Sequence, residues 1–212
     1  SPQAAQASRS FSQNYPLRSG SLVSISNEFG EVRVESWPNP VVQVAAEIKS
    51  GADSDAIAQE LVNTTVIDVV PNDMGLSIRT VYPDSREKGD VTKSVNYVIK
   101  LPSDVSLQCR NSFGDVFIQG INGQVTLAAE FGLVELENLK GETKVRARGE
   151  FPLRAKNLAK GGVFELRRTQ AEFTNVAGSL QIASFLGSVS INEPAQDLQA
   201  HATCDMGSAL LL

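Results

Sequence analysis

Asn138-Leu139, Asn157-Leu158 and Asn175-Val176 recur at spacings of 19 and 18 residues, and each pair is followed by glycine: Gly141, then Gly161 or Gly162, then Gly178. So short a period confines the chain to stacked repeats, because a unit of this size cannot bury its own apolar face. Two short strands fit between the landmarks. Val125-Thr126-Leu127-Ala128 and Val134-Glu135-Leu136-Glu137 alternate apolar and polar residues at the period of a half-buried strand, with Phe131-Gly132 as the corner between them. The next turns read Thr143-Lys144-Val145-Arg146-Ala147 with Leu153-Arg154-Ala155-Lys156, then Phe164-Glu165-Leu166-Arg167 with Ala171-Glu172-Phe173-Thr174.

Superposing the repeats predicts two inward columns: Leu127, Val145, Leu166, Ile182, Ala200 and Val125, Thr143, Phe164, Leu180, Leu198. Stacking of successive turns is what would bury them. The asparagines fall in one column at a turn, where each side-chain amide can bond to its copy in the next turn and where Asn tolerates a left-handed backbone. The fold expected is all-β: a β-solenoid over 102–212 with turns of about 18 residues, preceded by an N-terminal β-rich part over 11–101 and packed with it as one continuous domain. Residues 1–10, opening Ser1-Pro2-Gln3-Ala4-Ala5-Gln6-Ala7-Ser8, read as a flexible linker of the kind left after signal-peptide removal.

In the N-terminal part, Asn27-Glu28-Phe29-Gly30-Glu31-Val32-Arg33-Val34 matches Asn111-Ser112-Phe113-Gly114-Asp115-Val116-Phe117-Ile118, so residues 20–37 form a related β unit. Val41 to Ile48 alternates as a strand, and a short amphipathic helix is expected near 53–62, capped within Asp53-Ser54-Asp55. Strands are expected at about 65–70, 76–82 and 94–101, with a polar loop from Pro83 to Lys93.

These features together resemble a bacterial extracytoplasmic family of putative adhesins, a domain of unknown function, over roughly residues 11–212. The residues that carry the resemblance are the Phe29-Gly30-Glu31-Val32-Arg33-Val34 unit ending at Trp37, the Val41-Val42-Gln43-Val44 strand, the helix near Ser54–Leu61, the Val95-Asn96-Tyr97-Val98-Ile99-Lys100-Leu101-Pro102 strand and the glycine-punctuated repeats. The resemblance implies a solenoid displayed in the periplasm or at the cell surface as part of the cell envelope, and it brings no catalytic residues. Two corners depart from the pattern, Gly149-Glu150-Phe151-Pro152 and Glu193-Pro194, where distorted turns are expected.

The chemistry sought in the chain is sparse. One histidine, His201, removes most routes to a metal site or a catalytic triad. Cys109 and Cys204 lie in the first and sixth turns, about 24 Å apart along the stack, too far for a disulfide. Asp53-Ser54-Asp55 lacks the glycine and distal glutamate of a calcium loop. Glu135, Arg154 and Glu172 stack as a surface charge ladder rather than an acid–base pair. No catalytic residue, cofactor site or metal site is therefore expected, and no apolar run approaches the roughly 20 residues of a membrane helix.

One charged surface stands out. Between Lys144 and Arg168 there are eight basic residues (Lys144, Arg146, Arg148, Arg154, Lys156, Lys160, Arg167, Arg168) against Glu150 and Glu165, in a chain of net charge −5. Glu165 is expected beneath Lys144, and Arg146 and Arg167 are expected in one column, where they would repel. Uncompensated like charges point to an anionic partner, and the candidate anion-binding residues are Arg146, Arg148, Arg167 and Arg168; a solvated face that keeps the solenoid soluble is the competing reading. The function expected is a non-catalytic extracytoplasmic scaffold that binds an anionic glycan or envelope component, with no specific nucleic acid as partner. Two alternatives stand beside it: a glycan-processing enzyme on a β-helix, and a structural protein that self-associates end to end through the uncapped Ala209-Leu210-Leu211-Leu212.

Overall fold

The computed structural model describes residues 5–212. In chain order the elements are β1 (Ala5–Pro16), β2 (Leu22–Phe29), β3 (Val32–Ser36), β4 (Val41–Ala52), α1 (Asp55–Thr64), β5 (Val66–Asn72), β6 (Gly75–Val81) and β7 (Thr92–Leu101). Six two-strand turns follow: β8 (Ser106–Phe113) with β9 (Val116–Gln119), β10 (Val125–Glu130) with β11 (Val134–Leu139), and β12 (Thr143–Arg148) with β13 (Leu153–Leu158). The last three are β14 (Gly161–Arg167) with β15 (Gln170–Val176), β16 (Ser179–Phe185) with β17 (Ser188–Asn192), and β18 (Gln199–Asp205) with β19 (Ser208–Leu211).

The first strand of every turn joins one sheet, ordered β18-β16-β14-β12-β10-β8-β2-β6-β5, and the second joins another, ordered β1-β4-β7-β3-β9-β11-β13-β15-β17-β19. The chain is thus a flattened β-solenoid whose two faces enclose one core, with inward residues such as Leu107, Val125, Leu136, Phe164, Phe173 and Leu180 almost wholly buried. Alternation explains this directly, since in a strand every second side chain points to the same face.

The register differs from the expected columns. Leu127 lies opposite Val145, Val145 opposite Phe164, Phe164 opposite Ile182 and Ile182 opposite Ala202, in steps of 18, 19, 18 and 20 residues. Leu166 belongs to the next column, between Ala147 and Ser184, and Leu180 meets Ala200. All four of Leu127, Val145, Leu166 and Ile182 are buried on the expected inward face, but they stand in two columns instead of one. The expected column sets Leu166 21 residues after Val145, whereas the observed step is 19, the 18-residue turn being lengthened by the one extra residue of the corner Gly149–Pro152 relative to Phe131–Leu133. Gly162 lies inside β14 itself and leaves room for Phe164. A methyl group on Gly162 would come within 3.0 Å of that ring, which in turn meets Phe173 edge-on at 4.8 Å.

Left-handed corners set the turn. Asn138, Asn157 and Asn175 adopt φ of 56°, 59° and 53°, and the amide of Asn157 donates to Asn138 Oδ1 at 2.8 Å while that of Asn175 donates to Asn157 Oδ1 at 2.7 Å. Glu193 takes the same conformation (φ 48°) where the asparagine column ends, and Ala195 N–H still donates to Val176 O at 3.1 Å, so this corner lengthens without breaking the stack. At the opposite corner Gly132 sits so close to the turn below that a Cβ would press on the carbonyl oxygen of Gly114. Beside it, the rings of Phe29, Phe113 and Phe131 stack at 5.3 and 5.4 Å.

The N-terminal part is woven into the same stack. β2 and β3 pair in parallel with β8 and β9, as their sequence likeness implies, but β6 and β7 form a further turn on the far side of them. The chain therefore leaves the stack after β3, makes β4, α1 and β5, and returns in reverse order. A buried polar network fastens the returning turn: Tyr97 Oη lies 2.6 Å from Thr80 Oγ1, and the hydroxyls of Thr80 and Tyr82 donate to Asn27 Oδ1 at 2.9 and 3.0 Å. Asn27 Nδ2 donates in turn to Val95 O at 3.0 Å.

Residues 5–10, expected as linker, form the first half of β1, which pairs antiparallel with β4 along its full length. Their alternation is too polar to be recognised, because β1 is an edge strand exposed on one face. Residues 1–4 lie outside the described residues. The helix runs Asp55–Thr64, two residues later than expected, with Ser54 Oγ accepting from Ile57 N–H at 3.3 Å as its cap. Ala58 and Leu61 of this helix pack on Ala5 and Ala52 and cover that end of the solenoid. At the other end β18 and β19 each have a single neighbour, and Leu210 and Leu211 are exposed. No described helix is long and apolar enough to cross a membrane.

Two outcomes test this packing. Leu166→Ala should lower unfolding free energy by about 2–5 kcal/mol in a denaturant titration, as truncation of a buried leucine does. Cys109 and Cys204 are both free and lie five strand steps apart, and burial pushes the Cys109 thiol up to about 12. A thiol reagent should therefore label Cys204 first in the native protein and both cysteines after unfolding without reductant. A native protein with no free thiol and no dimer would contradict the stack.

Candidate functional site

The outer face of the nine-strand sheet is where the charged residues converge. Successive parallel strands place equivalent residues side by side, so residues from remote parts of the sequence become neighbours on this face. A groove of about 660 Å³ runs across it, lined by Ser24, Ser26, Arg79, Gln108, Arg110, Thr126, Ala128, Lys144, Arg146 and Glu165 among others. A second groove of about 490 Å³ adjoins it, shares Ala128, Arg146 and Glu165, and continues over Arg148, Arg167, Phe185 and Asp205.

Of the four candidate anion-binding residues, Arg146, Arg148 and Arg167 are brought together here. Arg168 is the left-handed corner residue (φ 54°) and stands beyond both grooves. The register corrects the expected pairings. Lys144 lies opposite Val163, and Glu165 lies opposite Arg146, with Arg146 Nε donating to Glu165 Oε2 at 3.0 Å. Arg146 and Arg167 do not share a column. Arg148 and Arg167 do, and their repulsion is relieved on both sides: Arg148 reaches Glu130 at 3.1 Å and covers the Phe131 ring, while Arg167 lies over the Phe185 ring at 5.3 Å. Exposed pairs of this kind contribute at most about 1 kcal/mol each, so they leave the guanidinium groups able to exchange partners.

Two basic residues of the groove escape a search for clusters in sequence. Arg110 precedes the basic run by more than 30 residues and Arg79 by more than 60. Arg110 was legible from its place three residues before Phe113, matching Ala128 before Phe131. Arg79 was not, because β6 joins the face only through the reversed N-terminal turn. Among the described residues Arg110 and Lys144 have no ion-pair partner, and Arg79 meets Asp68 at 2.7 Å.

Acid–base chemistry has little to work with in the wider groove. Glu165 is the one carboxylate among its lining residues, whereas glycosidic cleavage by the common route employs two. On the opposite sheet Glu135, Arg154 and Glu172 do stack in register, and Arg154 bonds Glu135 at 3.2 Å, as expected of a charge ladder. His201 lies beside Gln181, exposed, and among the described residues no cluster of three metal-ligating side chains occurs.

No protein-family model matches the chain, and no curated protein matches it. Solved structures do. A putative adhesin from Bacteroides fragilis aligns over 96% of this chain and 97% of its own, at 14% identity and a TM-score of 0.50. A putative cell adhesion protein from Clostridium sporogenes aligns over 97% and 99% at 7% identity and a TM-score of 0.41. A putative lipid binding protein from Parabacteroides distasonis aligns over 96% of both chains at 14% identity and a TM-score of 0.32. The first of these likenesses extends from end to end, so the N-terminal cap and the solenoid together are a fold that this chain shares with the Bacteroides fragilis protein.

Proposed function

We propose that this protein is a non-catalytic binding module of the adhesin kind, displayed in the periplasm or at the cell surface, and that it holds an anionic polymer along the outer face of the nine-strand sheet. The observation that carries this reading is the composition of the wider groove: four cations, Arg79, Arg110, Lys144 and Arg146, against one carboxylate, in a chain whose net charge is −5. A surface kept only for solubility has no reason to gather its cations into one concavity while the rest of the molecule is acidic. The extracytoplasmic placement rests on the fold shared with a protein that bears an adhesin name.

The test is binding of acidic glycans, carboxylated and sulfated, measured against salt. Affinity should fall as ionic strength rises, because screening is strong beyond about 10 Å at 0.1 M. A variant in which Arg79, Arg110, Lys144 and Arg146 are all serine should keep its β-rich circular dichroism, since all four are exposed, and lose at least about tenfold in affinity, equivalent to about 1.4 kcal/mol. Unchanged affinity in a folded variant would remove these residues from the site.

A further inference from the structure

The cations of the wider groove are not scattered; they alternate. Along one outward column the residues in neighbouring strands are Arg79 on β6, Ser26 on β2, Arg110 on β8, Ala128 on β10 and Arg146 on β12. Every second strand carries a guanidinium and the strand between carries a small side chain. With neighbouring strands about 4.8 Å apart, the positive charges repeat at about 9.6 Å over a length of roughly 19 Å. Two residues along each strand runs a second column: Ser77, Ser24, Gln108, Thr126 and Lys144. Hydroxyls, an amide and, on β12, the Lys144 ammonium thus line one side of the groove while the arginines line the other, and both columns face solvent.

From this geometry we infer that the groove is built for a linear polysaccharide lying along the solenoid axis, with a carboxylate on every second sugar. The inference rests on the reading of this face as an anion-binding surface and adds the ligand class and its direction. One pyranose unit of an extended glycan is about as long as the gap between two strands, so a sugar would sit over each strand. Acidic sugars would meet Arg79, Arg110 and Arg146, and uncharged sugars would sit over Ser26 and Ala128, where a larger side chain would lift the chain off the sheet. Arg79 gives Nη2 to Asp68 and Arg146 gives Nε to Glu165, so each keeps its other nitrogens for the ligand, and Arg110 is free of any ion pair among the described residues. The hydroxyl and amide column suits sugar hydroxyls, which both donate and accept.

A nucleic acid fits less well. Its charges come about every 3.4 Å along each strand of a duplex, far denser than this cation repeat, and the lining of the wider groove has no aromatic ring for a base to stack on. The net charge of −5 also repels a dense polyanion approaching from a distance.

The experiment compares titrations of the whole protein with three probes: a hexasaccharide of alternating glucuronate and N-acetylglucosamine, a trigalacturonate with the same three carboxylates on adjacent sugars, and single-stranded DNA. The alternating hexasaccharide should bind about tenfold more tightly than the trigalacturonate, and Arg110→Ser should cost it about tenfold, the usual loss for one charged hydrogen bond. Ala128→Arg, an exposed change that fills the gap, should reverse the preference. Equal or tighter binding of trigalacturonate, or an alternating probe indifferent to Arg110→Ser but weakened by the four-serine variant, would overturn the spacing and leave the anion-binding face standing. Failure of both acidic sugars to bind would overturn the proposed function itself. DNA binding more tightly than either would overturn the assignment to a glycan.

Discussion

Parallel pairing of each turn with the next is the constraint from which the rest follows. Once the strands are held about 4.8 Å apart with equivalent residues side by side, every side chain has a copy above and below it. Inward positions are then predominantly apolar, with Asn111, Thr143 and Ser184 as buried polar exceptions, and the Asn138, Asn157 and Asn175 corner accepts a left-handed backbone in successive turns. These asparagines also link to one another, so one residue type serves both the conformation and the stacking. Phe29, Phe113 and Phe131 do the same at the opposite corner by stacking their rings.

The same regularity makes outward charges expensive to repeat. Two like charges in adjacent turns are as close as two strands, and the surface shows the remedies available. Opposite charges alternate at Glu135, Arg154 and Glu172; aromatic faces relieve Arg148 and Arg167; and in the groove small residues separate Arg79, Arg110 and Arg146. The first two remedies neutralise. The third leaves Arg110 without an ion-pair partner among the described residues and open to solvent, while Arg79 and Arg146 each hold a single carboxylate, so the groove and not the ladder is the candidate binding surface.

A stack of turns has two ends, and this chain treats them differently. The N-terminal end is covered by β1, α1 and the reversed turn of β6 and β7, fastened by Asn27, Thr80, Tyr82 and Tyr97. Burial pushes the Tyr97 hydroxyl up to about 12. The cap also brings Arg79 onto the outer face. What closes the fold at that end therefore also extends the groove.

The repeat, the solenoid, the asparagine column, the helix cap at Ser54 and the separation of the cysteines were all legible in the residues, because each depends on a short pattern that recurs or on one local geometry. The precise stacking was not. Leu166 lies opposite Ala147, two residues along the strand from the expected Val145, and by the same offset Arg146 faces Glu165 instead of Arg167. The polar edge strand β1 and the reversed return of β6 also gave no signal, since both are held by pairing with strands distant in sequence. Sequence by itself thus determined that the chain stacks and which face of each strand turns inward, because alternation is a local property. Which outward residues stand together, and hence where the cations gather, only the tertiary structure decided, because that depends on register between turns, and a single residue in a corner resets it.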